Sequence, residues 1–75
     1  MENPIVTHRI KKGISTRQEL ARRAGFSYES CTLYEGGLRK SLSARALKMF
    51  ASVLDVEPEV LQEQYRTWRA GLVQA

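Results

Sequence analysis

Hydrophobic residues recur at intervals of three and four along most of this chain, and no stretch alternates cleanly with the period of two that is typical of strands. This pattern predicts an all-α protein. Together with the start and stop signals described next, it predicts five helices. We expect them at about Pro4–Lys12, Arg17–Ala24, Tyr28–Tyr34, Ala44–Leu54 and Pro58–Ala70.

Residues that favour helix ends mark these boundaries. Pro4 suits a first helical turn, because its missing N–H would have no partner there, and Gly13 ends the first helix. Thr16 followed by Glu19 has the spacing of a capping box, and Gly25 allows the positive φ of a helix C-terminus. The next two helices follow serines that are candidate N-caps, namely Ser27, and Ser43 or Ser41.

One apolar face per helix defines the expected core. In the first helix we expect Val6 and Ile10, together with Ile5, to point inward. The second and third helices and their connection contribute Leu20, Ala21, Ala24, Phe26, Cys31 and Tyr34. The fourth and fifth helices have longer stripes, at Leu47, Phe50, Ala51 and Leu54, and at Leu61, Tyr65, Trp68 and Leu72.

The length of 75 residues suits one small domain, residues 1–75, with a modest core. The single cysteine, Cys31, excludes an internal disulfide and a zinc site built on paired cysteines, so we expect it to be a small core residue. No apolar run approaches the roughly 20 residues of a membrane span, and we expect no signal peptide. These features favour the cytoplasm.

Charge is distributed unevenly along the chain, whose formal net charge is +4. Residues 1–48 contain ten Lys and Arg against four acids, whereas residues 49–75 contain two against four. The basic first two-thirds suggests a polyanionic partner, although a solvated basic surface would look the same from charge alone.

The second and third helices are short, and Gly25, Phe26 and Ser27 join them. A connection of three to four residues with a glycine is typical of a helix-turn-helix, in which the second helix enters the major groove of DNA. With Cys31 and Tyr34 inward, an outer face remains. It consists of Tyr28, Glu29, Thr32 and Leu33. An outward leucine is unusual on a solvated helix but suits contact with thymine methyl groups.

The run TRQELARRAGFSYESCTLYEGG (16–37), followed by ALKMFASVLDVEPEVL (46–61), resembles the Cro/repressor-type helix-turn-helix domain of the XRE family. The resemblance covers about residues 5–61 and implies a five-helix, lambda-repressor-like fold. Matching positions are Thr16, Leu20, Ala21, Gly25, Ser27, Glu35, Gly37, Leu47, Phe50, Ala51, Leu54 and Val56. The chain departs from the family at a phosphate-binding glutamine, which is replaced by Arg17 when counted back from Leu20 or by Thr16 when counted forward from Gly13. Ser41 replaces a loop proline.

The resemblance implies roles for individual residues. Base contacts would come from Tyr28, Glu29, Thr32 and Leu33. Phosphate contacts would come from Arg17, Ser27, Arg39, Lys40 and Lys12. Arg9 would pair with Glu35, the alternative being an exposed arginine on a phosphate. Glu29 has an alternative explanation too, because a carboxylate in the first turn of a helix favours the helix dipole.

The fifth helix, within residues 57–75, extends past the part that resembles the family. Tyr65, Trp68 and Leu72 would either complete the core or form a dimer interface, and we favour the interface. The resulting hypothesis is a homodimeric, nucleoid-associated regulator, most simply a repressor. It would bind double-stranded DNA at an inverted repeat with half-sites about 34 Å apart. Such members include phage Cro-like regulators, restriction–modification controllers and antitoxins.

The alternative hypothesis is a protein-interaction module, or an antitoxin, whose partner binds the C-terminal helix. No nucleophile motif or phosphate-binding glycine loop is present, and His8 has no partners at metal spacing. We therefore expect no enzyme activity, cofactor, metal or small-molecule substrate.

Overall fold

Residues 2–74 form five α-helices and no strand in the computed structural model, which describes those residues and the side chains of residues 2–72. The helices are α1 (Pro4–Lys11), α2 (Arg17–Ala24), α3 (Tyr28–Glu35), α4 (Ala44–Leu54) and α5 (Pro58–Gln74). The all-α prediction is confirmed. The bounds of α2 and α4 are as predicted, whereas α5 continues four residues past the predicted end at Ala70.

The predicted N-caps of α2, α3 and α4 are confirmed. The hydroxyl groups of Thr16, Ser27 and Ser43 each accept a hydrogen bond from the backbone N–H three residues later, at 3.1–3.2 Å. Ser43 therefore caps α4, and Ser41 does not. Asn3, which the sequence analysis missed, caps α1 by accepting from the N–H of Ile5 at 3.0 Å.

The first three helices end with the same backbone arrangement. At the end of α2, Phe26 N–H donates to Ala21 C=O at 2.9 Å and Gly25 N–H donates to Arg22 C=O at 3.3 Å. This is a Schellman motif, and it requires the φ of +77° that Gly25 adopts. At the end of α4 the left-handed position is occupied by Asp55, with φ +57°.

The core lies between all five helices. Its largest fully buried side chains are Tyr65, Phe50, Ile5, Ile14, Leu20, Leu61 and Cys31. Phe26 and Tyr34 are half-buried and pack with Phe50, with ring centroids 5.3–6.3 Å apart. The prediction that Cys31 is a core residue is confirmed.

The predicted inward face of α1 is confirmed for Ile5 and wrong for Ile10. Ile10 is 63% exposed and Val6 is only half-buried, whereas Ile5 and Arg9 point inward. Ile5 and Arg9 are four residues apart and share a face. The pattern favoured the neighbouring face because it treated Arg9 as a surface residue.

The prediction of a dimer interface at Tyr65, Trp68 and Leu72 is wrong for the first two. Tyr65 is fully buried and Trp68 is 9% exposed within the single chain, because α5 packs across α1 and α4. Their rings also pack on each other, with centroids 5.6 Å apart. Leu72 remains 49% exposed.

Candidate nucleic-acid interface

The four residues predicted to contact bases lie together on the outer face of α3. Tyr28 is 52% exposed, Glu29 is exposed, and Thr32 and Leu33 are half-buried. The buried side chains of Cys31 and Glu35 anchor α3 in the molecule. We call Tyr28, Glu29, Thr32 and Leu33 the outer face of α3.

Ser27 fixes the start of α3. Its hydroxyl accepts from Ser30 N–H at 3.2 Å and lies 3.1 Å from Ser30 Oγ, to which it donates. Ser27 is exposed, and its predicted phosphate contact stays a prediction.

A buried cluster of charges ties the end of α3 to α1 and α2. Arg9 Nη2 lies 3.5 Å and Arg17 Nε 3.1 Å from the same carboxylate oxygen of Glu35, whose side chain is 3% exposed. The predicted Arg9–Glu35 pair is confirmed. Arg9 also donates to Ile14 C=O at 3.0 Å, and Asn3 Nδ2 donates to the backbone C=O of Glu35.

Arg17 is placed differently from the expectation of a phosphate contact. Its Nε bonds Glu35, and its Nη1 donates to Thr32 Oγ1 at 3.4 Å. Partial burial tends to lower the pKa of Arg17, but the hydrogen bond and charge of Glu35 outweigh it and raise the pKa above its usual value. Because Glu35 needs a compensating charge, Arg17 is held on α3 instead of extending toward solvent.

The connection between α3 and α4 carries the exposed cations Arg39 and Lys40. Neither pairs with a carboxylate among the side chains that the structure describes. Both are therefore available for an anionic ligand, as predicted from the sequence.

Gln62, Tyr65 and Trp68 of α5 hold this connection in place, a role that the sequence pattern did not indicate. The Gln62 amide accepts from Leu42 N–H at 3.0 Å and donates to Leu42 C=O at 2.9 Å. The Tyr65 hydroxyl lies 2.9 Å from the carbonyl oxygens of both Tyr34 and Arg39. Burial raises the pKa of Tyr65 to about 12, so the hydroxyl stays protonated and can donate.

Trp68 completes this contact at Gly37, which has φ +77°. A Cβ atom at Gly37 would lie 2.9 Å from both Trp68 and Leu72, so the position also lacks space for a larger residue. The signal in the sequence was a second glycine in EGG before the basic residues, but nothing local indicated that α5 would pack there.

Three other basic residues pair with carboxylates. Lys12, a predicted phosphate contact, lies 3.6 Å from Asp55 at the far end of α4. Lys12 is thus paired at the C-terminal end of α4, whereas Arg39 and Lys40 precede the N-terminus of that helix in the chain. Arg22 and Arg23 are exposed and pair with Glu19, where hydrogen bonds from Arg23 and Arg22 lower the pKa of the carboxylate.

Two residues with reactive side chains have structural roles. Burial, together with the charge of Glu35, raises the pKa of the Cys31 thiol to about 11, so it is a neutral core group. His8 Nε2 lies 2.9 Å from Gln64 Oε1 and links α1 to α5. Within residues 2–74, no three His, Cys, Asp or Glu side chains are grouped as a metal site would require.

The described helices include none with the length and apolar character to span a membrane. Comparison with protein-family models, with curated proteins and with solved structures finds no match to this chain. The features of the structure that bear on function are the outer face of α3 and the cations beside it.

Proposed function

We propose that this protein is a sequence-specific, double-stranded DNA-binding regulator in which α2 and α3 form a helix-turn-helix. The observation that carries the proposal is that α3 leaves four side chains on one outer face that the core does not use. A Schellman turn and a serine cap fix this short helix against α2. A helix presented in this way fits the major groove.

The charges beside α3 support the same proposal. Arg39 and Lys40 follow α3 directly and are exposed, so they are suited to hold phosphates on either side of the groove. Their connection is anchored by Gln62 and Tyr65, and less conformational entropy is therefore lost when DNA binds. Occupying a promoter is the simplest action of such a module, which makes a repressor the favoured form.

A homodimer on an inverted repeat is part of the proposal. A single module of this kind buries only about 600–1,000 Å² of protein surface on DNA, and a second copy doubles the contact. With Tyr65 and Trp68 in the core, the interface has to use exposed apolar residues. Leu72 (49% exposed) and Leu38 (67% exposed) are suitable, and Leu72 lies against Gly37, the neighbour of Leu38.

The second candidate is a protein-interaction module, alone or combined with DNA binding as in an antitoxin. It is supported by Val60 and Leu72, which are 47% and 49% exposed on α5. Exposed apolar residues on a single helix suit a partner protein. This candidate predicts binding that does not depend on the outer face of α3.

The deciding experiment is selection from a pool of random duplexes at two salt concentrations, followed by sequencing. Enrichment of one palindromic motif would support a dimeric, sequence-specific regulator. Weak binding that disappears at the higher salt concentration, without enrichment of any motif, would show that the basic surface attracts DNA only nonspecifically. The proposal would then fail. The Glu29→Ala, Leu33→Ala double variant should relax the motif while leaving the circular dichroism spectrum unchanged.

A further inference from the structure

The side chains on the outer face of α3 differ in what they can still offer to a base, and this inference rests on the function proposed above. Thr32 Oγ1 donates its hydrogen to Tyr28 C=O at 2.8 Å and accepts from Arg17 Nη1 at 3.4 Å. Its hydroxyl is thus engaged on both sides. Its hydrogen is not available to a base, and the methyl is the apolar group that this side chain offers.

The other side chains of this face also offer only certain groups to a base. Leu33 is apolar, and Glu29 is an acceptor that makes no ion pair with any described side chain. The face contains no guanidinium for guanine and no carboxamide for adenine. The Tyr28 hydroxyl both donates and accepts, so it does not distinguish purines from pyrimidines by itself.

We propose that α3 recognises pyrimidines, with Thr32 and Leu33 against thymine 5-methyl groups and the Glu29 carboxylate accepting from the amino group of cytosine. In the major groove, the methyl marks thymine. Cytosine and adenine both present an amino donor, but the neighbouring N7 of adenine is an acceptor that would repel a carboxylate, so Glu29 favours cytosine. Arg17 is a positioning residue here, because its bond to Thr32 helps to hold the hydroxyl turned into the protein.

The test begins with the motif enriched from random duplexes. Each thymine in a half-site is replaced in turn by uracil, which lacks only the methyl group, and binding of the full chain is titrated. At the contacted thymines we expect a loss of about fourfold in affinity, the value for one buried methyl. Thymines elsewhere should tolerate the change and serve as internal controls.

Two variants of Thr32 separate its methyl from its hydroxyl. Thr32→Ser removes the methyl and should bind the thymine duplex about fourfold more weakly, with no further loss when uracil is introduced at the same position. Thr32→Val keeps the methyl and should retain the preference for thymine over uracil. For Glu29→Gln we expect about a tenfold loss at cytosine and a shift in preference toward adenine.

The outcomes separate this inference from the proposed function. If no motif is enriched, the proposed function fails and this inference fails with it. If a motif is enriched but affinity is unchanged by uracil at every thymine, DNA recognition stands and pyrimidine recognition through methyl groups is overturned. A Glu29→Gln variant with unchanged base preference would overturn the role of the carboxylate in the same way.

Discussion

Replacing Trp68 by alanine tests whether α5 belongs to the core of one chain or to an interface between two chains. Trp68 is 9% exposed, packs on Tyr65 and lies against Gly37. Truncating a buried Trp or Phe to Ala costs about 3–5 kcal/mol. Because Trp68 keeps some exposure, we expect Trp68→Ala to lower the free energy of unfolding by about 3 kcal/mol.

This loss is large for so small a domain. A chain of 75 residues has a total free energy of unfolding of roughly 4–11 kcal/mol. A loss of about 3 kcal/mol should lower Tm by roughly 12–24 °C. The assay is urea unfolding followed by far-UV circular dichroism, because replacing the single tryptophan removes the fluorescence signal.

Leu72→Ala is the matched control. Leu72 follows Trp68 by one helical turn but is 49% exposed, so we expect a loss of about 1 kcal/mol or less. If Leu72 contributes to a dimer, this variant should sediment as a lighter species while its unfolding midpoint changes little. The reasoning would be refuted if Trp68→Ala became monomeric yet unfolded at the wild-type urea concentration.

Three further predictions concern charge and backbone. Arg39→Ala and Lys40→Ala should each reduce the magnitude of the slope of log affinity against log salt by about 0.9, measured by titration of the enriched duplex. Lys11 is exposed at the end of α1, outside the α3–α4 connection, so Lys11→Ala should leave the slope unchanged. Asp55→Gly should raise the free energy of unfolding in urea by about 0.5–1 kcal/mol, because Asp55 occupies φ +57°; a decrease would show that its pair with Lys12 matters more. Burial raises the pKa of Cys31 from 9.0 to about 11, so the stability that the neutral thiol contributes is present below pH 9 and is lost between about pH 9 and 11. Cys31→Ala should flatten the fall in stability over that interval, and an equally steep fall in the variant would refute this assignment.

Local signals in the sequence were sufficient for most helix boundaries. Thr16, Ser27 and Ser43 each cap the helix that they were predicted to cap, since capping depends only on residues within one turn. The end of α5, predicted at Ala70, was placed four residues too early. The chain stays helical beyond Ala70, and Leu72 in this last part packs against Gly37, 35 positions earlier in the chain.

Contacts between distant positions were predicted less well. Arg9 is buried because Glu35 lies beside it, and hydrophobic periodicity in α1 alone therefore favoured the wrong face. The resemblance to a family supplied that ion pair, but not the second arginine, Arg17, on the same carboxylate. Hydrogen bonds from Gln62 to backbone atoms leave no periodic signal in either segment.

The anchoring of the α3–α4 connection has a consequence for how such a protein can diversify. Gln62 and Tyr65 bind only main-chain atoms of the connection and of the end of α3, so their hydrogen bonds do not depend on which side chains stand at positions 39 and 40. Those two positions can change charge or length while the path of the backbone is preserved. Overall attraction to a polyanion can therefore be adjusted by substitution at this connection without disturbing the helix that would distinguish one sequence from another.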